Sequence, residues 1–89
     1  MTAIRFTKHA LERLFTRRIT PAECEVAVRK GRVIESYPDD VPFPSELRLC
    51  TIDTKVIHIV VALEPDSVHV VTAYEPDPAR WTDGFTRRR

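Results

Sequence analysis

In the stretch FTKHALERLFTRR, His9, Arg13 and Arg17 recur at intervals of four, and Tyr74 closes the run SVHVVTAY. Residues four apart on a helix are neighbours, about 5–6 Å between Cβ atoms. The stripe can therefore touch successive oxygens of a phosphodiester backbone. Histidine titrates near neutrality and moves protons. Arginine stays cationic and offers a planar fork that fits phosphate. Together such groups can cleave RNA without a metal. A base activates the 2′-hydroxyl, the arginines stabilise the pentavalent phosphate, and an acid protonates the leaving 5′-oxygen. Tyr74 can donate that proton or stack on a base. The plain alternative is that His9, Arg13 and Arg17 form a wet helix face and that Tyr74 closes a core.

Other titratable groups offer less. His58 alternates with Val56, Val60 and Ala62, and His69 with Val71 and Ala73, so both read as hydrogen-bonded strand residues among apolar neighbours. Asp39 and Asp40 are adjacent and point different ways. Cys24 and Cys50 fit neither a disulfide framework nor a zinc pattern and read as free buried thiols. The chain has no glycine-rich phosphate loop, no metal-spaced His/Cys cluster and no nucleophile elbow. No cofactor or metal is expected.

Length, composition and charge frame this chemistry. Eighty-nine residues, 43% hydrophobic and 30% charged, suit one globular domain with a modest core. No apolar run is long enough to span a bilayer, and the start MTAIRFTKHA lacks a signal core, so a cytoplasmic protein with no membrane partner is expected. The net charge of +1 is unevenly spread. Residues 1–32 hold eight Lys/Arg against three Glu, and residues 33–83 hold three basic against ten acidic residues. Arg87, Arg88 and Arg89 add three positive charges at the end. This favours a single anion-facing surface over nonspecific polyanion binding.

The elements that must position these groups are legible. Ala3 to Phe6 reads as an extended lead-in. Thr7 suits the N-cap of a first helix ending near Arg17 or Arg18, with Ala10, Leu11, Leu14 and Phe15 as its buried face. Thr20, Pro21 and Glu23 are the cap, first residue and capping-box partner of a second helix. That helix buries Cys24, Ala27 and Val28, ends in Lys30 and stops at Gly31. Strands are expected at RVIESY, ELRLCTID, VIHIVVAL and SVHVVTAYE, with the proline-rich PDDVPFPSE as a loop. The expected fold is α+β: an N-terminal αα-hairpin packed on one face of a four-stranded antiparallel sheet, whose other face stays partly open. Residues 1–81 would form the domain. Residues 82–89 would be a basic tail, solubilising or disordered, with Trp81 and Phe85 able to dock it.

The runs T-K-H-A-L-E-R-L-F-T-R-R-I-T-P, Y-P-D-D-x-P-F-P-S and V-V-T-A-Y-E-P-D-P-A-R-W resemble the family known as domain of unknown function 4258, over Ile4 to about Trp81. That family is thought to be similar to the RelE, BrnT and MqsR groups of bacterial toxins, compact α+β endoribonucleases with a RelE/barnase-like architecture. The resemblance implies a toxin–antitoxin role, an RNA substrate and a small zinc-finger or helix-turn-helix antitoxin as partner; a homodimer is left open. The family's H-A-x-x-R-x-x-x-R motif falls on His9, Arg13 and Arg17. Its T-A-Y element falls on Thr72, Ala73 and Tyr74, where related toxins hold a proton donor. The rival expectations are a non-catalytic module binding RNA or protein on the same fold, and an inert domain.

Overall fold

The computed structural model describes residues 2–89. Two helices, α1 (Lys8–Thr16) and α2 (Pro21–Lys30), follow a first strand β1 (Ala3–Phe6). Then come β2 (Arg32–Tyr37), β3 (Ser45–Ile52), β4 (Lys55–Leu63) and β5 (Ser67–Tyr74), with a terminal hairpin of β6 (Trp81–Thr82) and β7 (Arg87–Arg88). The sheet order is β1-β5-β4-β3-β2, and β1 runs parallel to β5. The expected four-stranded antiparallel sheet is thus a five-stranded mixed one. The lead-in can pair there because the two helices carry the chain over the sheet, α1 above β5 and α2 above β3 and β4, leaving β1 at one edge and β2 at the other.

Local chemistry fixes both helices. Thr7 Oγ1 accepts from Ala10 N at 3.0 Å, and Thr20 and Glu23 complete a capping box. Helix α1 ends at Thr16, one residue short of Arg17. Ile19 N donates to Leu14 O and Arg18 N to Phe15 O, with Arg18 left-handed at φ 58°. This is a Schellman stop built without glycine. It drives Ile19 into the core beside Leu14. Gly31 has an ordinary φ; it is required because a Cβ there would lie 2.3 Å from Ala27 O.

The helices do not form a hairpin packed on itself. Helix α1 lies over β5, and α2 over β3 and β4. Their shared core joins Leu14, Ile19, Cys24, Ala27 and Val28 to Cys50, Ile57, Ile59, Val61, Val70 and Ala73. Both cysteines are free and buried, as expected. Only Ala10 and Leu14 of the expected apolar face of α1 are buried; Leu11 and Phe15 stay exposed.

The second face of the sheet is less open than expected. Leu47, His58 and Trp81 are buried there, outside the helix-side core. The tail is folded back, with Trp81 paired to Arg88 and Thr82 to Arg87. Two bulges set which side chains reach this face. Val60 pairs with Thr72 but Val61 with Val70, so Val71 is an extra residue in β5. Simple alternation would group Tyr74 with Val70; the bulge leaves Val70 and Ala73 on the helix side and turns Thr72 and Tyr74 to the other. It also parts Ala73 from His69, whereas Val71 lines the same cleft as His69, as expected. The slip between Val33 and Glu35 in β2 likewise sends Glu35 and Tyr37 to the second face.

Candidate functional site

Tyr74 and His58 face each other in direct register on β5 and β4. The Tyr74 hydroxyl is 3.3 Å from His58 Nδ1, and His58 Nε2 is 2.8 Å from the Phe85 carbonyl. A carbonyl only accepts, so Nε2 carries the proton. Burial pushes the imidazole below its ordinary pKa, against the opposing pull of the Phe85 carbonyl and Glu35. The ring is therefore neutral near pH 7, and Nδ1 accepts from the Tyr74 hydroxyl. Trp81 stacks edge-on to His58, ring centres 4.4 Å apart.

Arg88 closes this cluster from the terminal hairpin. Its Nε and Nη2 donate to the two Glu35 oxygens, both at 3.0 Å, and its guanidinium lies 4.7 Å from the centre of the Trp81 ring. That fork holds the Glu35 carboxyl below the usual range. Tyr37 donates to the same carboxylate. For Tyr74, burial raises the phenol pKa while the charges of Arg88 and Arg17 work against it. The phenol keeps its proton at neutral pH, and two cations stand ready to steady a phenolate. Tyr74 opens on a groove of about 600 Å³ shared with Glu75, Asp77, Arg80, Arg88 and Arg89.

The expected stripe is partly assembled beside it. Arg17 is the C-cap of α1, and its Nη1 donates to Thr72 Oγ1 at 2.9 Å and to the Ala73 carbonyl at 2.8 Å. It thereby caps the edge of β5 beyond the last residue that β1 pairs, Val70. His9 and Arg13 are exposed, and neither makes a side-chain hydrogen bond or ion pair with the described residues. His9 precedes Arg17 by eight residues, about 12 Å along the helix axis.

Glu35 and Glu75 were missed by the alternation rules, and His58, expected as a hydrogen-bonded strand residue, is one that also orients Tyr74. His58 is fully buried because the tail covers it, docked through Trp81 and Phe85, the two residues expected to hold it. Glu35 and Glu75 reach the site through a bulge and a groove rim. A further cue was the RRR ending, whose central residue pairs with Glu35. His69 stands apart, its Nδ1 3.8 Å from Glu64 Oε1. Among the described residues, no group of three or more His, Cys, Asp or Glu gathers to hold a metal. No helix among them is long and apolar enough to cross a membrane.

The fold and site thus define a small α+β domain whose last long strand ends in a tyrosine at a groove rimmed by Arg80, Arg88 and Arg89. Residues 6–75 match the family described as Domain of unknown function (DUF4258), and the chain belongs to that family. No curated protein and no solved structure matches the chain. The tail that covers His58 lies beyond the matched residues.

Proposed function

We propose that this protein is a small endoribonuclease of the toxin–antitoxin kind, working by acid–base chemistry with arginines as its cations. The observation that carries the reading is Tyr74, its hydroxyl held by neutral His58 and its side chain lining an open groove, with Arg17 anchored on the neighbouring Thr72 and Ala73. In this reading the scissile phosphate sits between Tyr74 and Arg17. Glu75 at the groove rim takes the 2′-hydroxyl proton, and the 2′-oxygen attacks phosphorus. Tyr74 gives its proton to the leaving 5′-oxygen. Arg17 and Arg88 steady the phosphorane and the phenolate left behind. Arg13 and His9 hold the next phosphates along α1. The products are a 2′,3′-cyclic phosphate and a 5′-hydroxyl. The likeness to RelE-type toxins and the antitoxin partner belong to this proposal, resting on the same motifs as the stripe.

The rival reading, a non-catalytic RNA-binding module, draws on one observation: the Tyr74 proton is already committed to His58. Incubating the purified chain with end-labelled RNA in the presence of a chelator separates the two. Cleavage to cyclic-phosphate ends supports the nuclease. RNA binding that weakens in Arg13→Ala, with no new ends, supports the module.

A further inference from the structure

The amphipathic rule would bury Leu11 and Phe15 of α1, yet they are 41% and 87% exposed. They rim a cleft of about 760 Å³ between α1 and the start of α2. Leu14 and Ile19 line it from the core side, Thr20 and Pro21 from α2. Lys8 and Arg18 stand at the two ends of the same stripe, and neither side chain has a hydrogen-bond or ion-pair partner among the described residues. The stripe is therefore apolar at its centre with a cation at each end, and the exposed Glu12 stands beside it, one turn from both Lys8 and Phe15.

We propose that this stripe docks an acidic amphipathic helix of a partner protein. Phe15 and the exposed part of Leu11 would supply the apolar area such a helix buries. Lys8 opens α1 and Arg18 lies just past its end, so the nine-residue helix, about 13 Å long, separates the two cations. A facing helix of three turns matches that span. It carries apolar residues at helical spacing for the cleft and carboxylates near each end for the two cations.

The other occupants fit worse. Two copies of this chain meeting at the stripe would place Lys8 against Arg18 if antiparallel, or like against like if parallel. A bilayer is flat and cannot enter a cleft, and RNA offers nothing apolar enough to fill it. Leu11 and Phe15 lie about 120–160° around the helix from His9 and Arg13. A docked partner therefore leaves the proposed RNA track uncovered, and the inference stands whether or not the chain cleaves RNA.

The test is selection of helical peptides from a randomised sixteen-residue display library against the immobilised full-length chain, with binding of selected peptides then measured in solution. Peptides with an apolar helical stripe flanked by Asp or Glu should be enriched. Their affinity should fall at least about tenfold for Phe15→Ser. The charge-reversed double variant Lys8→Glu, Arg18→Glu should select basic flanks instead. Circular dichroism of both variants should match the parent, since all three positions are exposed. No enrichment, enrichment without acidic flanks, or binding indifferent to Phe15→Ser would overturn the proposal. So would concentration-dependent dimerisation, or binding to anionic phosphatidylglycerol vesicles, that is lost in Phe15→Ser.

Discussion

The Tyr74 hydroxyl donates to Nδ1 of His58 across the β4–β5 pairing, and the Phe85 carbonyl fixes the tautomer that allows it. A strand residue of the family domain is thus oriented by a histidine that the C-terminal hairpin seals from water. Sheet register, the Val71 bulge and the docked tail are all needed for this one hydrogen bond.

Stability should respond to His58. Its folded pKa is depressed, so the unfolded chain binds its proton first, near pH 6.5. The contribution is fully present above that pH and is lost as pH falls through the lower folded value. Urea unfolding should show stability dropping below about pH 6.5, with a slope up to about 1.4 kcal/mol per pH unit. His58→Gln should remove that slope, leaving the loss from Glu23 and Glu35 at lower pH, where their depressed pKa values are passed. An unchanged slope in the variant would contradict the account.

The glycine-free stop of α1 can be improved. Arg18 occupies the left-handed region at φ 58°, which glycine adopts without strain. Arg18→Gly should raise unfolding stability by about 0.5–1 kcal/mol in denaturant titrations. A loss would mean that the Arg18 side chain has a partner the structure does not show.

Arg88 should report tail docking. Its guanidinium covers Trp81 and bonds Glu35, but its side chain is 62% exposed, so the pair is screened. Arg88→Gln should cost no more than about 1 kcal/mol. It should also shift Trp81 emission to longer wavelength as the hairpin loosens. An unchanged emission maximum would show that the hairpin is held without this residue.

Cys24 should be inert in the native state. Burial pushes its thiol pKa up to about 11, so little thiolate forms at pH 8 and none is accessible. A thiol reagent should label Cys24 only in denaturant. Because the folded pKa is raised, stability should also decline as pH climbs from about 9 toward 11. Rapid native labelling of Cys24 would contradict its place in the core.

Elements governed by local rules were legible in the residues. Thr20, Pro21 and Glu23 announced α2, and the strand RVIESY falls where its composition placed it. Positions decided by distant contacts were not. No local pattern tells Val71 to bulge, so alternation misassigned Ala73 to the side of His69 and Tyr74 to that of Val70. The pairing of β1 with β5 joins segments more than sixty residues apart. Of the four site residues expected, Arg17 and Tyr74 come together at the end of β5, while His9 and Arg13 extend away along α1. Leu11 and Phe15 obey the helical period yet face solvent, because α2 packs on the sheet instead of on α1.

The central claim is that Tyr74 and Arg17 form the reacting end of an RNA site. Single-turnover cleavage of a labelled RNA, measured beside binding affinity for wild type, Tyr74→Phe and Arg17→Ala, tests it most directly. The account predicts cleavage by wild type and a loss of roughly 10²- to 10⁴-fold in Tyr74→Phe with affinity nearly unchanged. It predicts that Arg17→Ala weakens both. Cleavage by Tyr74→Phe at the wild-type rate, or no cleavage by wild type of any RNA it binds, would contradict it.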